Sequence, residues 1–264
     1  MSDKIKRDVR DIGDFTKIEL RGWGDITVTQ GDTCQLVVEA PTDLLDHLLV
    51  EVEGNALILS FDNHIKNHVW QILNNESIHY AITLPKLESV KIAGKGSLTA
   101  KTLTGDKLAL TVPGVANFNI DKLQYNRVAF DVQGVTNSHI GQVNGEALAL
   151  SIKGTGKINI GTLQADELAV SIKGSGTMTL AGQVKTQAIS MPGVGNYDGE
   201  YLQTANTSLK AEGMANATVW ATEDLNVTLR GMGNIRYYGT PEKQVHIRGV
   251  GRVKHLGEAP SVKV

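Results

Sequence analysis

The sequence predicts an all-β chain, a right-handed parallel β-helix of ~20-residue coils with a more irregular N-terminal β section and a short helical insertion. Three observations carry this reading. Residues 151–180 read SIKGTGKINIGTLQADELAV and then SIKGSGTMTL, so that Gly154 and Gly156 return as Gly174 and Gly176. The same glycine recurs in both directions, at Gly94, Gly114, Gly134, Gly154, Gly174, Gly193, Gly213, Gly231 and Gly249. Its interval is 20 residues, falling to 19 once and to 18 near the C-terminus. A period of this size marks stacked units, none of which can bury its apolar face alone. Finally, apolar and polar residues alternate strictly before each glycine, the pattern of a strand with one buried face.

In chain order, residues 1–13 are charged and read as a loose arm, and residues 14–85 as an N-terminal β section. Its opening, FTKIELRGWGDITVT, sets Gly22 and Gly24 in the repeat's glycine positions, with Ile18/Leu20 before and Ile26/Val28 after. That is a first coil. Residues 35–39 form a strand, and residues 42–48 a short helix with Thr42 as N-cap behind Pro41. A hairpin follows, from Val50/Val52 across Gly54 and Asn55 to Leu57/Leu59. Within the insertion at 62–75, Ile65, Val69, Ile72 and Leu73 fall at helical spacing beside Trp70. His64 and His68 share one face of that helix. A metal site needs three or four converging ligands and a supporting shell, so this pair is a weak metal signal and a solvated insertion is preferred. The apolar stripe reads first as cover for an open coil end. Residues 78–84 form a strand ended by Pro85.

The regular array spans 86–256. Inward pairs precede each glycine, from Val90/Ile92 through Leu150/Ile152 and Val170/Ile172 to Val245/Ile247. A second strand follows it, with inward pairs such as Leu98/Ala100, Phe118/Ile120, Ser138/Ile140 and Ile158/Ile160. Leu103, Leu123, Val143, Leu163 and Leu202 mark a short third side. Stacked at about 4.8 Å per coil, these rows close one apolar column. At the corner, glycine supplies positive φ or close backbone approach. Three residues on stands a polar ladder that includes Asn117, Asn137, Asn196, Asn216 and Asn234; stacked corner amides link coils, and this structural role is preferred over binding. Residues 257–264 form a tail that frays or lies across the last coil.

Composition narrows the function classes. With 264 residues and a net charge of −2, the chain lacks the basic surface of a nucleic-acid binder. Aromatic residues are 5% of the total and glycines number 28, which suits thin walls and small corners. Cys34 is the single cysteine, so no intrachain disulfide forms. No apolar run reaches transmembrane length. The opening MSDKIKRDVRD lacks the apolar stretch of a signal peptide, which places the chain in the cytoplasm unless a leader precedes Met1.

The G-x-G-D-I-x-V-x-Q-G segment at 22–31, the VEA strand at 38–40, the ITLPKLESV entry at 82–90 and the G-x-G coils together resemble the putative auto-transporter adhesin, head GIN domain family. The resemblance covers nearly the whole chain. It implies an exported bacterial β-helix protein of the cell envelope or exterior, with no catalytic residues to carry over.

Polysaccharide lyases and hydrolases also use parallel β-helices, and their chemistry needs carboxylates clustered on adjacent coils. In the outward file three residues before each glycine, Asp131 stands alone. The G-x-G pairs lie between strands, not ahead of a helix, so no phosphate cradle and no cofactor is expected. Two outward features remain. Ala109, Ala129, Ala149, Ala169 and Ala188, with Ser151, Ser171 and Ser190, make a flat wall, either tightly curved sheet or a face onto which the N-terminal strands or another protomer packs. Lys153, Lys173, Arg230 and Arg248 make a partly basic row, read first as edge protection and second as an anionic-glycan site. The sequence thus points to a non-enzymatic adhesin-like module for a surface glycan or protein. A carbohydrate-active enzyme and a self-assembling element are the alternatives.

Overall fold

The computed structural model describes residues 5–62 and 78–260. The insertion with His64 and His68, and the last four residues of the tail, lie outside the described residues. The chain is a parallel β-solenoid of about 8 turns. Among the described residues no helix is long and apolar enough to cross a membrane.

Each coil contributes to three walls. Ahead of the corner, Phe130 pairs with Leu110 on one side and Leu150 on the other. Beyond it, Phe118 pairs with Leu98 and Ile120 with Ile140. On the short third wall, Leu123 pairs with Leu103 and Val143. The alternation places these side chains inside, where all are buried. Phe118 and Phe130 meet edge to face across the column, with ring centroids 5.1 Å apart.

The corner glycines act through close approach, not through positive φ. A Cβ on Gly114 would overlap the carbonyl oxygen of Gly94, and one on Gly134 that of Gly114, and so on up the file. Hydrogen bonds repeat with the same regularity. The Val112 carbonyl accepts from the amides of Gln133 and Gly134, and the Gly114 carbonyl accepts from Val135. The 19-residue coil loses its residue after the second wall, where Gly182, at φ 124°, takes the register position of Leu163.

The apolar column is interrupted twice by polar side chains that satisfy one another. Thr136 donates to the Ala116 carbonyl at 2.6 Å and lies 2.7 Å from Ser138, which accepts from the Phe118 amide. Farther along, the Tyr197 hydroxyl donates to Gln187, whose amide reaches Thr207, and Thr207 meets Thr204 at 2.6 Å. Buried polar groups cost little when paired in this way.

The N-terminal section differs from the sequence expectation in two respects and adds a stacking order of its own. The charged arm is not loose, because strand Ile5–Arg10 pairs antiparallel with Gln35–Pro41. The helix is one turn, Thr42–Leu45, with Pro41 at the N-cap and no side-chain cap, while Leu44 and Leu45 are buried. Strand His79–Leu84 stacks on the outer side of Trp23–Gln30, so spatial order departs from chain order. The hairpin Leu48–Glu53/Ala56–Phe61 forms as expected, turning at Gly54 with φ 62°. Trp23 stacks on Phe61 at 3.7 Å. At the other end, Val245 and Ile247 are 36% and 45% exposed instead of buried. Among the described residues their strand, Glu242–Ile247, pairs only with the coil before it.

Candidate functional site

The outward faces of the three walls hold the candidate residues. Ala109, Ala129, Ala149, Ala169 and Ala188 are consecutive register partners on the wall before the corner. They line a shallow apolar groove of about 540 Å³. One rim of it carries Lys107, Arg127, Ala147 and Glu167 in register, so its charge changes sign across Ala147.

The basic row is not continuous. Lys153 bonds Asp131 at 2.9 Å, and Arg230 lies 3.4 Å from Glu212. Lys153 and Lys173 are one coil apart, as are Arg230 and Arg248, with Pro192 and Glu212 between the two pairs. Burial alone would raise Asp131. Hydrogen bonds from Gln133, Lys153 and Ser151, with the Lys153 charge, outweigh it and hold the carboxyl below its usual range. No group of three or more His, Cys, Asp or Glu residues converges among the described residues.

After the corner, the asparagines bond along the stack. Asn117 accepts from the Asn137 amide at 3.0 Å, and Asn196 accepts from the Asn216 side chain at 3.2 Å. Asn216 in turn accepts from the Asn234 amide. Lys157 and Thr177 separate the two asparagine runs.

The third wall carries a file that counting from the glycines did not reveal. Thr104, Gln124, Asn144, Gln164, Gln183, Gln203, Trp220 and Tyr238 are successive register partners. Gln30 caps its N-terminal end, bonding both the amide and the carbonyl of Thr104 as a neighbouring strand would. The middle of the file lines a groove of about 570 Å³ with Asp166, Lys185 and Glu223. Lys185 and Asp166 neutralise each other at 2.6 Å. The sequence signal exists but drifts: the file stands ten residues after the glycine at Gln164, nine at Gln183 and seven at Trp220.

A profile of the putative auto-transporter adhesin, head GIN domain family matches residues 14–141 and 135–241. The chain belongs to this family. Solved structures agree with the head GIN assignment at the level of fold. A putative adhesin from Bacteroides fragilis NCTC 9343 is 25% identical, with TM-score 0.53, over 97% of this chain and 98% of its own. A putative adhesin from Parabacteroides merdae ATCC 43184 is 20% identical, with TM-score 0.67, over 97% of each chain. A putative lipid binding protein from Parabacteroides distasonis ATCC 8503 is 21% identical, with TM-score 0.67, over 97% of this chain and 98% of its own. No curated protein matches the chain. For a head GIN chain, then, the solenoid is shared property, and any ligand has to be argued from this chain's own outward files.

Proposed function

We propose that this head GIN domain chain is a non-enzymatic, adhesin-like binding module of the cell envelope or cell exterior. Its solenoid holds files of side chains at fixed spacing for a partner on a cell surface. Repetition carries this reading. The same side-chain class returns coil after coil in register, as in Gln164, Gln183 and Gln203. Catalysis needs unlike groups converging on one point, whereas a repeated file suits many weak, equivalent contacts. Beads coated with the full chain are expected to bind intact bacterial or host cells saturably, with free chain competing. Absence of competable binding across the cell panel would overturn the proposal. Release of reducing ends or unsaturated sugars from polysaccharides would favour the enzyme instead.

Self-association through the alanine wall is a second reading, favoured by one observation. About Ala149 the outward file is palindromic, Ser89, Ala109, Ala129, Ala149, Ala169, Ala188, Ser208. A two-fold axis along the strand there sets Arg127 opposite Glu167 of a second copy. If that pairing holds, light scattering gives a dimer mass for the native chain and a monomer mass for Ala149→Arg. A monomer in both cases removes it.

A further inference from the structure

We propose that the third-wall groove binds a neutral glycan chain running along the solenoid, stacked on Trp220 and Tyr201 and hydrogen-bonded by Gln203, Gln183 and Gln164. The inference rests on the adhesin-like reading and gives that module a ligand class.

The aromatic residues make the first argument. Among the described residues, the phenylalanines and Tyr80, Tyr125, Tyr197 and Tyr237 are buried, and Trp23 is covered by Phe61. The solvent-facing rings Tyr201, Trp220 and Tyr238 all stand together at the C-terminal end of the carboxamide file. Tyr201 is 39% exposed and points outward two residues from Gln203. Tyr238 is fixed beside them by donating its hydroxyl to Glu200 at 3.0 Å. An exposed ring with a fixed edge offers an apolar face to the C–H face of a sugar, as aromatic residues do at wet interfaces.

The carboxamides make the second. Each offers two donors and one oxygen acceptor, the complement of adjacent sugar hydroxyls. Asn117, Asn196 and Asn216 spend theirs on the stack, but the side-chain amides of Gln164, Gln183 and Gln203 make no hydrogen bond among the described residues. They repeat at about 4.8 Å, near the length of one sugar ring in an extended chain. They also face a groove already formed, so little side-chain order remains to be lost on binding.

Charge selects the class of glycan. The Lys185 ammonium is neutralised by Asp166, and the one other charged side chain lining the groove, Glu223, is acidic. An anionic polymer would be repelled there, whereas a neutral one meets no penalty.

Titration calorimetry of the full chain with cello-, xylo- and mannohexaose, and with oligogalacturonate as the charged control, tests the proposal. At least one neutral series is expected to bind and quench tryptophan fluorescence, while oligogalacturonate does not. Gln183→Ala and Gln203→Ala should each weaken binding ~10-fold, and Tyr201→Ala similarly, with unchanged melting. Trp220→Phe keeps a ring, so it should retain binding while removing the quench. Failure of every neutral series to bind, or binding indifferent to all three alanine variants, would overturn the inference. The triple variant on cells separates it from the broader reading. If cell binding persists and protease treatment of the cells abolishes it, the partner is a protein, and the adhesin-like module stands without this site.

Discussion

Gly134→Val is expected to break the solenoid in two. The new Cβ would overlap the Gly114 carbonyl oxygen, which is backbone and has no rotamer through which to escape. The next coil must lift, and with it go the bonds from Val135 to Gly114 and from Gln133 and Gly134 to Val112. Loss of a cluster of buried backbone hydrogen bonds amounts to several kcal/mol, on the order of a domain's whole net stability. In a column whose coils touch only their neighbours, the damage stays at the break. The expected melt therefore has two steps, and hydrogen exchange should accelerate first across residues 112–135. Gly13→Ala is the control, since nothing lies within 4 Å of its added methyl group. A single transition at the native temperature in Gly134→Val would refute the steric account of the file.

The second large effect is expected when Ile152 and Ile172 are both replaced by aspartate. Each is 0% exposed and they are register partners. Losing either side chain costs about 2–5 kcal/mol through lost packing alone. The new carboxyls have no partner in an apolar column, so burial raises their pKa and they stay neutral or force water in. The sign follows: a raised folded pKa makes the variant least unstable at acid pH, with stability falling as pH climbs through the folded pKa. At neutral pH no cooperative melt is expected by circular dichroism. Ser171→Asp, one residue away on the outward face, should change stability by only about 0.5 kcal/mol. A sharp neutral-pH melt in the double aspartate variant would contradict the inward placement.

The array was legible because its information is local. Leu150, Ile152 and Gly154 each state their side of the wall within one coil, and stacking merely repeats the statement. The ends were harder. Val245 and Ile247 carry the inward pattern but lie exposed because no further described strand covers theirs, a fact about a missing neighbour that no local pattern holds. The stacking of His79–Leu84 outside Trp23–Gln30 is likewise a long-range choice. The candidate groove was hidden by shortening. Gly182 removes one residue and the later coils remove more, so Gln164, Gln183 and Trp220 share a file in space while their offsets from the glycines differ. The two polar clusters around Ser138 and Gln187 depend on what faces them across the column, which the strand period does not encode.

Because successive coils meet through one repeated register, such as Ala147 on Glu167 and Thr155 on Ser175, a whole coil is an exchangeable part. Unequal recombination between repeats as alike as SIKGTG and SIKGSG would insert or delete a turn without reframing any wall. The lineage can thereby adjust how far the molecule reaches, in steps of about 4.8 Å, while leaving its lateral chemistry intact.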